Sequence, residues 1–150
     1  MATPTRFKRV QIGDRINSAT GDLEAFGYTT LSQSVLIGFA SAGAAVNVCV
    51  IPANSQIIEI YVNVITAFNS SGTDLVNIGV SGTSDLFANG IDLSLAGRVL
   101  ATSDVSQLVN YDNTGATQIT VQALYAQSIA DASAGSARVT VVYCAGNNLI

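Results

Sequence analysis

Ile58-Glu59-Ile60-Tyr61-Val62-Asn63-Val64 alternates without a break: Ile58, Ile60, Val62 and Val64 are apolar, and Glu59, Tyr61 and Asn63 between them are polar or amphipathic. Successive side chains of a strand point to opposite faces, so this segment predicts a strand whose even positions face a core. The pattern returns at Val46-Val48-Val50, Val76-Ile78-Val80, Ile119-Val121-Ala123-Tyr125 and Val139-Val141-Tyr143. Five such strands require sheets that each bury one face.

Between them lie turn signals. Pro52-Ala53-Asn54-Ser55 ends one strand, because proline cannot donate to a ladder. Asn69-Ser70-Ser71-Gly72-Thr73-Asp74 and Ser81-Gly82-Thr83-Ser84-Asp85 read as turns, Asn89-Gly90 as a tight turn inside an irregular stretch 86–95, and Asn113-Thr114-Gly115-Ala116 as another turn. Val35-Leu36-Ile37-Gly38-Phe39 reads as a first strand and Arg98-Val99-Leu100-Ala101 as a further one. Seven or eight short strands and no long helix predict an all-β, antiparallel β-sandwich of jelly-roll type.

At 150 residues the chain is long enough for one domain with its own core. It is 49% apolar and only 11% charged, against about 25% charged in an ordinary soluble domain. A surface so poor in charge suits burial against other subunits. The charge is also unevenly placed. Arg6, Lys8, Arg9 and Arg15 fall in the first fifteen residues, opposed only by Asp14, whereas the rest holds two bases against nine acids, a net of −7. Residues 1–15 therefore read as an extended basic arm, either solvated or docked on an acidic partner, and residues 16–150 as the sandwich. An acidic body repels phosphate and four bases make a weak footprint, so no nucleic-acid partner is expected. No membrane partner is expected either, since no run approaches the roughly 18 apolar residues of a spanning helix, and Val10-Gln11-Ile12-Gly13-Asp14-Arg15 is not the apolar core of a secretory signal.

The chemistry-bearing residues are few. Histidine is absent, which removes the commonest general base and metal ligand. Two cysteines, Cys49 and Cys144, cannot close a structural zinc site; they read as buried small hydrophobes, or as a bridged pair if their strands are neighbours. Asp85 and Asp92 flank Asn89-Gly90 and invite a glycosidase or calcium reading, but turn-capping by their own side chains is the expectation. No enzymatic activity, cofactor or metal is expected. Of the tyrosines, Tyr125 and Tyr143 lie on apolar sets and belong in the core, whereas Tyr61, with Asn63, lies on the polar side of its strand and is a candidate for a subunit contact. Across these strands the side opposite the apolar stripe carries mostly Ser, Thr, Asn, Gln and Tyr and few Lys and Glu, Glu59 among them, which suits strands lying against another subunit.

Ile51-Pro52-Ala53-Asn54-Ser55-Gln56-Ile57-Ile58-Glu59-Ile60, followed by Thr66-Ala67-Phe68-Asn69, resembles the small head proteins of tailed bacteriophages. Ala88-Asn89-Gly90-Ile91-Asp92-Leu93 and Ala134-Gly135-Ser136-Ala137-Arg138-Val139-Thr140-Val141-Val142-Tyr143 fit the same resemblance, which spans 45–145. It implies a capsid decoration (cement) protein on the virion surface, assembled in the host cytoplasm. The implied partners are the major capsid protein and further copies of the chain, a trimer being favoured. The arm bearing Arg6, Lys8, Arg9 and Arg15 is then the tether. The alternative is a tail- or fibre-associated sandwich that recognises a host-surface glycan.

Overall fold

The computed structural model describes residues 15–16, 23–24, 30–53, 55–101 and 117–144. Arg6, Lys8, Arg9, Tyr28 and Tyr111 lie outside these. Two short strands, β1 (Arg15–Ile16) and β2 (Leu23–Glu24), pair antiparallel as a separate ribbon. Eight more follow: β3 (Thr30–Gly38), β4 (Ala45–Ile51), β5 (Gln56–Thr66), β6 (Asp74–Val80), β7 (Thr83–Asp92), β8 (Gly97–Leu100), β9 (Ile119–Gln127) and β10 (Ser136–Cys144). The one helical element among the described residues is a 3-10 turn, Phe39–Ser41, between β3 and β4.

The eight strands form two four-stranded antiparallel sheets, in the orders β3-β10-β5-β8 and β4-β9-β6-β7. Their pairings are nested: β6 with β7, β5 with β8, β4 with β9, β3 with β10. A hairpin folded at its middle gives this nesting. Rolling it up adds the lateral pairs β10–β5 and β6–β9, and the result is a jelly roll. Both sheets turn an apolar side inward. Ile60, Val62, Val139 and Val141 come from one sheet, and Val76, Ile78, Phe87 and Val121 from the other; all are fully buried in one cluster. Tyr125 and Tyr143 join it, as the alternation predicts.

Alternation fails at two places, for one reason. In β5, Glu59 pairs with Val142 but Ile57 with Tyr143, so Ile58 is an extra residue in a bulge. The side-chain period is two, so one extra residue reverses which set faces inward. Ile57 is therefore buried, and Ile58, expected in the core, is 46% exposed. The same happens in β4, where Asn47 pairs with Gln122 and Cys49 with Val121, leaving Val48 extra. Cys49 and Ile51 then face inward, and Val50, expected inside, is 44% exposed.

Asn89-Gly90 is not a hairpin turn. The stretch expected to be irregular is most of β7, and the dipeptide forms a bulge within it, between Ala88 opposite Ile78 and Ile91 opposite Val76. Gly90 takes the positive φ of 68° that both a tight turn and a glycine bulge use, and its N–H donates to Asn77 Oδ1 at 2.7 Å. The turn from β6 to β7 is made by Ser81 and Gly82 alone. Immediately before it, β7 folds across Gly79 so closely that a Cβ there would lie 2.1 Å from Thr83 O, which reserves the position for glycine.

Candidate assembly surface

Between Glu24 and Glu59 the chain carries no charged residue. The jelly roll collects much of that span on one flank. β3 and β4 are the outermost strands of their respective sheets and are joined by the 3-10 turn, so the two edges lie on the same side of the sandwich. β3 is nine residues long, holds neither charge nor proline, and is exposed at every residue from 30 to 34. Among the described residues no strand pairs with its outer edge. The opposite flank is built differently. β8 has four residues and carries Arg98, and β7 is bulged and carries Asp85 and Asp92. Short, bulged and charged edges resist pairing with another chain; a long, uncharged one offers unpaired N–H and C=O groups to it.

The uncharged surface continues onto the outer face of β4, β9 and β6. In register across it lie Val50 with Thr120, Asn47 with Gln122, Ala45 with Leu124 and Asn77, and Ala126 with Leu75. Gln122 Nε2 donates to Asn47 Oδ1 at 2.9 Å. The first charge is Asp92, on β7 beyond Leu75.

The outer face of the other sheet departs from the neutral expectation. One row places Leu36, Arg138, Asn63 and Arg98 side by side, and the next places Ser34, Thr140, Tyr61 and Leu100. The two bases found beyond residue 15 therefore sit in one row, on either side of Asn63. Tyr61 is half-buried, and the Arg98 guanidinium lies 3.7 Å from its ring centroid. Arg98 also reaches Glu59 Oε1 at 3.4 Å. Both partners are solvated, so this pair adds little stability. Tyr61 and Asn63, expected at a subunit contact, thus lie on the charged side of the molecule.

One end of the sandwich is locked by polar side chains. Asn69 Oδ1 accepts the N–H groups of Ser133 and Ala134 at 3.0 and 2.9 Å, and its Nδ2 donates to Ser133 Oγ at 3.1 Å. Asp131 accepts the Ser71 N–H at 2.8 Å and the Ser71 hydroxyl. Those bonds favour its ionised form and hold the carboxyl below its ordinary range. The buried carboxylate of Asp74 accepts the Tyr125 hydroxyl and, at 3.0 Å, the Ser70 N–H. The bonds of Asn69, Ser70 and Ser71 fasten loop 67–73 to β6 and loop 128–135, and the Tyr125–Asp74 bond ties β9 to β6 beneath them.

Asp92 caps its own turn, accepting the Ser94 N–H at 2.8 Å, which lowers its pKa; Asp85 meets Asn89 Nδ2 at 3.5 Å. Cys49 and Cys144 are buried, unbridged, and in opposite sheets. Burial pushes the Cys49 thiol up to about 11. Among the described residues no three His, Cys, Asp or Glu side chains gather as a metal would need, and no helix is long and apolar enough to cross a membrane.

No family model matches the chain, and no curated protein does. Solved structures do match. A chain of the cyanophage Pam1 capsid asymmetric unit superposes with a TM-score of 0.61 at 20% identity, covering 85% of this chain and 96% of that one. A chain in the capsid of Ralstonia phage GP4 gives 0.61 at 18%, covering 81% and 86%. A chain in the acid-stable capsid of Helicobacter pylori bacteriophage KHP30 gives 0.59 at 13%, covering 79% and 90%. The fold is shared with chains of phage capsids. In each case the match spans most of both chains.

Proposed function

We propose that this chain is a structural, non-catalytic protein of a phage virion that binds the outer surface of the assembled capsid and stabilises its lattice. The observation that carries the reading is the uncharged flank and sheet face on an otherwise acidic chain. A subunit that stayed alone in solution would normally spread charge over such a surface. The fold shared with chains of three phage capsids supports the same reading. Among the described residues no exposed tyrosine platform is present for a sugar ring, since Tyr125 and Tyr143 are buried and Tyr61 is overlaid by Arg98. Saturable sugar binding by the purified protein would instead favour the glycan-binding tail module.

A partner that binds only the assembled lattice stabilises it by mass action, by about 2.7 kcal/mol per site at a free concentration one hundred times Kd. Many symmetric copies add by avidity, so each contact can be weak. In this proposal the major capsid protein is the docking partner, and the basic arm with Arg6, Lys8, Arg9 and Arg15 is the tether. The chain acts as a homo-oligomer, with a trimer as the favoured form.

The test mixes purified protein with capsids assembled without it and reads co-sedimentation and the capsid melting temperature. Saturable binding with a raised melting temperature is expected, and a variant lacking residues 2–15 is expected to stay folded but not bind. Absence of binding by the full chain would overturn the capsid reading. Full binding by the truncated chain would overturn the tether.

A further inference from the structure

We infer that β3 is an assembly edge that pairs antiparallel with β3 of a second copy across a two-fold axis, joining two sandwiches through one continuous eight-stranded sheet. The inference adds to the capsid reading a two-fold contact that links copies pairwise, distinct from the three-fold contact that would close a trimer, and it rests on that reading only for its biological use. Three observations carry it.

The first is the state of the edge. One side of β3 is bonded to β10 along all nine residues, whereas on the other side no strand among the described residues is paired. The devices that a strand's own residues can carry — charge, proline, a bulge, shortness — are missing from Thr30-Leu31-Ser32-Gln33-Ser34-Val35-Leu36-Ile37-Gly38, although the β7 and β8 edges of the same molecule use three of them.

The second is charge. The chain has a net charge of −4, so two copies repel unless they approach through an uncharged surface. The β3–β4 flank is such a surface. A partner recognised by charge has nothing to engage there, whereas a second copy of the same uncharged strand fits without unpaired charge.

The third is self-complementarity. Antiparallel pairing of a strand with itself is two-fold, and a two-fold contact uses the same patch on both copies. Only one register pairs the strand along its whole length, and it sets Ser34 opposite Ser34. Leu36, 57% exposed, then meets the partner copy's Ser32 on the outer side of the sheet, while Leu31, 41% exposed, falls in register with the partner copy's Ile37, which is buried in its own core. Leu36 of each copy gains cover, and the edge N–H and C=O groups unpaired among the described residues gain partners.

Cysteine cross-linking of the isolated protein tests the register. In the inferred pairing the two Ser34 Cβ atoms are about 5 Å apart, within reach of a disulfide. The two Leu36 residues are offset by four positions, about 13 Å along the strands, and are out of reach. Under mild oxidation Ser34→Cys is expected to give a reducible dimer several-fold faster than Leu36→Cys, with wild type, whose cysteines are both buried, as background. Cross-linking of Ser34→Cys no faster than Leu36→Cys would overturn the contact. Ser34→Lys sets two like charges face to face across the axis and is expected to abolish the two-fold association seen by sedimentation velocity, with an unchanged circular dichroism spectrum. Undiminished association of folded Ser34→Lys would also overturn it. Both experiments omit capsids, so their failure leaves the capsid-binding test standing.

Discussion

Removing one oxygen atom, by Tyr125→Phe, tests whether the polar lock at the end of the sandwich stabilises the fold. The Tyr125 hydroxyl is buried and donates to Asp74, whose carboxylate is itself 3% exposed and is otherwise held by the Ser70 N–H. Loss of the hydroxyl removes a hydrogen bond to a charged group and leaves a desolvated carboxylate oxygen without that donor, a cost of about 1.5–3 kcal/mol. The ring and its contact with Phe68, at a centroid separation of 4.6 Å, remain, so little cavity term is added. For a domain of this size the loss corresponds to a fall in Tm of roughly 4–10 °C. Urea denaturation should show a lower midpoint with an unchanged slope. The coupling is specific. In an Asp74→Ala background the hydroxyl keeps only the longer bond to Gln127 Oε1, at 3.3 Å, and deleting it should cost much less. An equal cost of Tyr125→Phe in both backgrounds would refute the assignment. Alkaline pH gives a second reading. Burial, then the bond to Asp74, raises the Tyr125 pKa, so the folded chain keeps a proton that the unfolded chain releases. The contribution is complete below the unfolded tyrosine value of about 10 and is lost as pH rises from there toward the folded value. Wild type should therefore lose stability above about pH 10 more steeply than Tyr125→Phe does.

Gly135 has φ of 142°, and a Cβ there would lie 2.4 Å from the Phe68 ring. Gly135→Ala should cost about 2–5 kcal/mol, from positive-φ strain and overpacking together, read as a fall in the urea midpoint. A loss below about 1 kcal/mol would show that the ring and loop yield freely. With its pKa raised and its side chain buried, the Cys49 thiol should resist thiol-directed reagents at pH 8 and react only as the protein unfolds, so that labelling tracks global opening. Fast labelling of the folded protein at Cys49 would place it at an accessible surface.

Much of the architecture was legible in the chain. Alternation at Ile60, Val62, Val64, Val121, Ala123, Tyr125, Val139, Val141 and Tyr143 named strands and their buried faces, because burial of one sheet face writes a period of two into the local sequence. Turn chemistry placed most of the boundaries, and the scarcity of charge pointed to assembly. The candidate surface was present too, as the uncharged span 25–58, but its signal was an absence of charge, not a motif. Tyr61 and Asn63 were read correctly as outward-facing, yet their neighbours in space, Arg98 and Arg138, come from strands 35 and more residues away.

Local sequence by itself determined which segments are strands and which side chains are candidates for the core. Only the tertiary structure decided the rest. Whether Ile57 or Ile58 enters the core depends on how β5 registers against β10, and a single extra residue there reverses the outcome. Which strands end a sheet follows from nested pairings between residues as far apart as Thr30 and Cys144, a long-range choice that no window of sequence contains. Nine uncharged residues in β3 would mean little in the middle of a sheet. At its edge, with one row of backbone groups unpaired among the described residues, they form a strand that another strand can pair with.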